Sequence, residues 1–221
     1  MKKKISLFIV VILIIITISI FSIRIINDNI SPLVMNYSIG EMKRIISIII
    51  NRSINSDILT EEDMNKLFIV TKDNSGEILT ISLDSIVVNR ITDNISDACE
   101  DNLRLIEEGK YQELKEKFNI GEEYFYVPSG IIFKNTLLSS IGPKLPINLK
   151  IIGNVTSGIK TEVKEYGINN SLITFSSSVT VEVMVILPFS SDYISITNLV
   201  PISIKLIHGK VPEFYGGKLV N

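Results

Sequence analysis

Residues 142–175 read GPKLPINLKIIGNVTSGIKTEVKEYGINNSLITF, and the fold turns on their spacing. Ile147, Leu149 and Ile151 alternate with Asn148, Lys150 and Ile152, and the period of two continues downstream. From Ile173 to Leu187 the odd positions are Ile, Phe, Ser, Val, Val, Val, Val and Leu, with Thr174, Ser176, Ser178, Thr180 and Glu182 among those between. From Ile194 to Leu206 the even positions are mostly apolar, against Ser195, Thr197, Ser203 and Lys205. Strict alternation places one apolar and one polar face on a strand. Runs of about 13 to 16 residues reach ~45–50 Å, well beyond a common strand, so they must twist, bend or bulge. Pro188 ends one run, and Pro201 marks an edge or a bulge in the other. One apolar face fits a curved antiparallel sheet covered on one side by helices.

The covering helices come earlier. In SPLVMNYSIGEMKRIISIIINRSINSDI, Ser31 and Pro32 form an N-cap and first-turn pair, and Val34, Met42, Ile45, Ile46, Ile49 and Ile50 recur at helical spacing. A helix directly after an anchor can instead lie on the bilayer surface, but few basic residues line its polar side, which favours burial in a core. KLFIVTKDNSGEILTISLD is a hairpin around Asp73-Asn74-Ser75-Gly76. A second helix follows, capped by Asp84 or Ser85, with Val87, Ile91, Ile95, Ala98 and Leu103 as its stripe and Gly109 as its stop. Asp93, Asp97, Glu100, Asp101, Glu107 and Glu108 crowd its other side without calcium-loop spacing, so they read as a solvated face. Cys99, beside the stripe, is a small core residue. The segment KYQELKEKFNIGEEY reads as an acidic connector. The fold class is α+β: an N-terminal transmembrane helix, then two amphipathic helices, about 32–56 and 85–108, packed on a sheet from the β-rich half, about 124–212.

At the N-terminus, Ile5 to Ile23 run nineteen positions without a charge. As a helix they span ~28 Å, close to the ~30 Å of a bilayer core. A cleaved signal peptide would have a shorter apolar region ending in small residues, whereas FSIRIINDN follows here, so an uncleaved signal anchor is expected. Lys2, Lys3 and Lys4 precede the span, which places residues 1–4 in the cytoplasm, 5–26 in the bilayer and 27–221 outside.

Chemistry is absent from the sequence. A formal charge of -2 in 221 residues gives no reason to expect nucleic acid. One cysteine excludes an internal disulfide, and one histidine removes the usual metal sites and proton relays. No zincin, nucleophile-elbow, Walker or dinucleotide motif occurs. A serine triad would have to recruit His208, which sits in KLIHGKVP, where a strand end is the simpler account. Glu162 and Glu165, three apart on a strand, face opposite ways and cannot share chemistry. We expect no enzyme, no cofactor and no metal.

The ordered run Gly142-Pro143, Pro146, Gly153, Thr161-Glu162, Gly167-Ile168-Asn169-Asn170 and Pro188, with YVPSG at 126–130, ILPF at 186–189 and GKVPEFYGG at 209–217, resembles the YunB family of sporulation proteins. The likeness implies a membrane protein made during spore formation, in the mother-cell or outer forespore membrane. It transfers no catalytic residues. Gly153, Glu162, Gly167, Asn169 and Asn170 are candidates for a structural turn or a docking motif; Gly167, Asn169-Asn170 and Gly153 suit tight turns needing positive φ. Three functions compete, the last an envelope hydrolase that would rest on His208, Glu162 and Glu165. The first is an assembly protein of the spore envelope that binds a membrane-protein partner or itself. The second is a lipid-binding or lipid-transfer module with an apolar groove. A sheet face filled by Ile45, Ile49, Val87, Ile91 and Ile95 favours the first.

Overall fold

The alternating half of the chain forms strands, as its spacing predicts. The computed structural model describes residues 2–54, 58–74, 76, 78–133, 137–167 and 170–208. Among these the α-helices are α1 (Lys2–Ile25), α2 (Ser31–Ser53), α3 (Glu61–Lys66), α4 (Ser85–Glu107) and α5 (Tyr111–Phe118). The strands are β1 (Phe68–Lys72), β2 (Ile78–Leu83), β3 (Tyr126–Pro128), β4 (Lys144–Pro146), β5 (Asn148–Ile151), β6 (Thr156–Tyr166), β7 (Asn170–Leu187) and β8 (Ser190–His208). The fold is α+β, and every pairing whose register is described is antiparallel. The strands make three sheets rather than one: β1 with β2, β3 with β4, and a four-stranded sheet in which β7 pairs with β5, β6 and β8.

Two compact units share these elements. The first comprises Met1–Ile45, Ile106–Ile152 and Val183–Ile194. Its core includes Val34, Met35, Met42 and Ile45 of α2, Leu114 and Phe118 of α5, Phe125, Val127, Ile147 and Leu149, and Val183, Val185 and Leu187 of β7. The connector expected at 110–124 is largely helical. Leu114 and Phe118, one turn apart, are both buried, Asn119 closes α5 in the left-handed conformation, and the Tyr111 and Phe125 rings lie 4.7 Å apart. Within this unit β5 pairs with the end of β7, from Asn148 opposite Ile186 to Ile151 opposite Val183.

The first helices join differently from expectation. Ser31 does not cap a free end, because a π-helical turn, Ile26–Ile30, links α1 to α2. Pro32 lacks an N–H and crowds the carbonyl one turn back, and a wider turn accommodates both effects. On α1 the described side chains are Val10 to Ser22 and Arg24, all exposed. Among the described residues, no helix is long and apolar enough to cross a membrane.

The second unit comprises Ile46–Leu105, Gly153–Glu182 and Ser195–Asn221. Its core includes Ile46, Ile49 and Ile50 of α2, Val87, Ile91, Ile95, Cys99 and Leu103 of α4, and Phe175, Val179 and Val181 of β7. Cys99, not Ala98, holds the fourth place on the α4 stripe, since it follows Ile95 by one full turn. Asp84 caps α4 by accepting from the Ile86 and Val87 N–H groups at 2.9 and 3.4 Å. Asp63, buried in α3, bonds to Thr60 and pairs with Arg90. Ser47 of α2 donates to the Asn198 side chain of β8 at 3.2 Å, and Phe68 of β1 meets Phe175 of β7 edge-on at 4.6 Å.

One strand departs from its expected face. On β8 the even positions Ile196, Asn198 and Val200 are covered, as the alternation predicts, but beyond Pro201 the odd positions Ser203, Lys205 and Ile207 take over. Lys205 Nζ sits 3.5 Å from the centre of the Phe68 ring, while Ile204 and Leu206 are 62% and 41% exposed. The parity changes just beyond Pro201, a residue that cannot donate to a ladder and suits an edge or a bulge.

Candidate functional site

The candidate residues lie on or beside the β6–β7 hairpin of the second unit. It runs in unbroken register from Thr156 opposite Thr180 to Tyr166 opposite Asn170. Gly167 follows Tyr166 with φ +76, and its place in the turn requires a residue without a side chain penalty there. Asn170 starts β7 and is half-buried; Asn169 and Ile168 lie outside the described residues.

Gly153 is not at a hairpin turn. Pairing with β7 stops at Ile151 opposite Val183 and resumes at Thr156 opposite Thr180. Four residues, Ile152 to Val155, therefore stand against two, Val181 and Glu182. An insertion of this kind bends a strand, and Gly153, exposed with φ +75, supplies the irregular backbone. The correction has a simple cause: the alternation is the same on both sides of an even-numbered insertion, so periodicity does not betray it.

Glu162 is exposed on β6, opposite Thr174, and pairs with Lys164 at 3.2 Å. Glu165 lies on the other face, as the spacing requires, opposite Ser171. Glu162 is five residues from Gly167, ~17 Å along the strand, and nine from Gly153, ~30 Å. The structure thus does not bring the candidates into one pocket. It distributes them along one exposed strand and its two backbone irregularities.

Nothing else assembles into a reaction centre among the described residues. No group of three or more His, Cys, Asp or Glu side chains could hold a metal ion there. The side chain of His208 lies outside the described set. In the first unit, Tyr111, Gln112, Lys115, Glu116, Glu122 and Glu123 line an open depression of about 470 Å³. Tyr126 Oη donates to Glu122 at 2.9 Å, which raises its pKa, and burial chiefly raises that of Tyr111. Both phenols therefore stay protonated at neutral pH. Cys99 is raised to about 11 by burial, against a smaller opposing hydrogen bond with Ser53, so its thiol is not a nucleophile.

Sequence reasoning missed the run from Lys160 to Tyr166, in which every residue is exposed on both faces. The signal was present in KTEVKEY, whose alternation is charged with polar rather than apolar with polar.

Comparison with known proteins finds the family described as "Sporulation protein YunB" at residues 124–214. The chain is 35% identical over 197 residues to the Sporulation protein YunB of Bacillus subtilis (strain 168), covering 89% of this chain and 76% of that one. No solved structure matches. The chain belongs to the YunB family of sporulation proteins.

Proposed function

We propose that this chain is a non-enzymatic, membrane-anchored protein that acts in endospore formation, in assembly or maturation of the spore envelope. Membership of the sporulation family carries the first half of this reading. The residues carry the second. The uncharged run Ile5 to Ile23 follows Lys2, Lys3 and Lys4, a signal anchor with its N-terminus in the cytoplasm. The run lies within α1, Lys2–Ile25. Every group singled out for chemistry and described is either inert or solvated.

The lipid-carrier reading asks for an open apolar groove. Ile45, Ile49, Val87, Ile91 and Ile95 are instead each no more than 6% exposed, which supports a filled core and an assembly role.

Deleting the gene tests the role, and extraction tests the anchor. Heat-resistant spore counts should fall and return with the full chain, but not with residues 27–221 alone in the cytoplasm. Normal sporulation of the deletion strain would defeat the proposal. Release of the full chain from membranes by alkaline carbonate would defeat the anchor.

A further inference from the structure

We propose that β6 is the contact strand through which two copies of this chain associate, edge to edge and antiparallel, with Val163 facing its own counterpart. This specifies one partner for the assembly reading and rests on it.

β6 pairs with β7 along one edge, and the sheet order ends at β6. Among the described residues its other edge has no partner strand, and it presents a row of N–H and C=O groups, the template for adding a strand. Lys160 to Tyr166 are exposed throughout, and Val163 and Tyr166 are 61% and 59% exposed, although β-branched and aromatic residues favour a covered sheet.

Charge selects the second strand. On one face of β6 lie Lys160, Glu162, Lys164 and Tyr166, and on the other Thr161, Val163 and Glu165. A two-fold axis perpendicular to the sheet preserves the face, so only residues of equal parity can oppose each other. With Val163 on the axis, Glu162 opposes Lys164 of the second copy, and the reverse pair repeats it. Thr161 opposes Glu165, and Lys160 opposes the Tyr166 ring. Moving the axis to Glu162 sets Glu162 against itself and Lys160 against Lys164. Moving it to Lys164 sets Lys164 against itself. An axis at Thr161 also matches charges, Lys160 with Glu162, but draws in the half-buried Ser157 to Ile159. Only the register on Val163 combines opposite charges with fully exposed residues. A charged edge rejects strands of arbitrary sequence, and this one accepts its own reverse.

The full chain in detergent micelles tests this. Directly opposed Cβ atoms lie within reach of a disulfide, and the native Cys99 is buried and does not compete. Val163→Cys should give a disulfide-linked homodimer on mild oxidation, with Thr161→Cys and Ser195→Cys giving little. Glu162→Lys or Lys164→Glu alone should weaken that dimer about tenfold, because like charges then oppose twice, and combining them should restore it. A monomer with Val163→Cys, linkage equal at all three positions, linkage at Thr161 alone, or no rescue by the combined reversal would each overturn the proposal. A failed cross-link would leave the deletion phenotype untouched, and a normal deletion strain would leave the cross-link standing, so the two readings fail separately.

Discussion

Three glycines in the second half of the chain should respond to the same substitution with different signs. Gly158 lies within β6, with no positive φ, and a Cβ there would meet nothing within 4 Å. Alanine restricts the unfolded chain without straining the folded one, a gain of about 0.5 kcal/mol. A Cβ at Gly153 also meets nothing within 4 Å, but φ is +75. The left-handed conformation costs an L-residue about 1–2 kcal/mol, partly offset by the same unfolded-state effect, leaving a net loss of about 1 kcal/mol. At Gly130 a Cβ would lie 2.0 Å from the Leu138 carbonyl oxygen and 2.3 Å from that of Ile141. Both are backbone atoms, so the loop must move, at a cost of about 3 kcal/mol or more. For a chain of this length each kcal/mol shifts the melting temperature by about 2–4 °C. Thermal unfolding of the full chain in detergent, followed by far-UV circular dichroism, should show Gly158→Ala rising slightly, Gly153→Ala falling by about 2–4 °C, and Gly130→Ala falling by about 6 °C or more. Gly153→Asn should recover part of the loss, because Asn visits the left-handed region more readily. A shift of the same sign for Gly153→Ala and Gly158→Ala would refute the assignment of Gly153 to an irregular backbone.

Three further outcomes follow from the side chains. The Cys99 thiol is raised from 9.0 to about 11 by burial, so the unfolded chain ionises first as pH rises. Stability is then intact below about pH 9 and declines towards pH 11; between pH 7 and 10.5 the wild type should lose about 2 kcal/mol more in urea unfolding than Cys99→Ala, and equal losses would disprove the buried thiol. Arg90→Ala should cost about 1 kcal/mol, because it strips a buried carboxylate of its ion pair, and no loss in Arg90→Ala would exclude the pairing with Asp63. Ile196→Ser on β8 should cost about 3 kcal/mol while Ile204→Ser stays within about 0.5 kcal/mol, and equal losses would rule out a parity switch at Pro201.

Periodicity made the larger elements legible. The helices expected at about 32–56 and 85–108 correspond to Ser31–Ser53 and Ser85–Glu107, and the odd positions of β7 from Phe175 are the buried ones. These signals are strong because each face repeats over many turns or residues. The features that escaped are those where repetition is short or broken. α5 buries only Leu114 and Phe118, two residues in a charged segment that looks like a connector until the Tyr111 ring at its start is seen to meet Phe125. The switch on β8 was hidden because Ile202, Ile204 and Leu206 keep the even positions apolar after the backbone has changed face. The insertion at Gly153 was hidden because two extra residues leave the parity unchanged.

The residues of the 142–175 run divide by what requires them. The backbone requires Gly142, Gly153 and Gly167, at the start of the run, an insertion and a turn, where φ is +102, +75 and +76. The Pro143 carbonyl accepts from the Ser129 N–H at 2.9 Å and ties the start of the run to β3 and β4. None of these demands extends to Lys160, Glu162, Val163, Lys164 or Tyr166. They fill no core, cap no helix and close no turn, and a solvated strand would be served as well by threonine and serine. A strand whose shape is fixed at both ends and whose exposed face is charged in an order that matches its own reverse is what the self-association proposed above requires. The turns set where the strand stands, and under that proposal the charges decide what it meets.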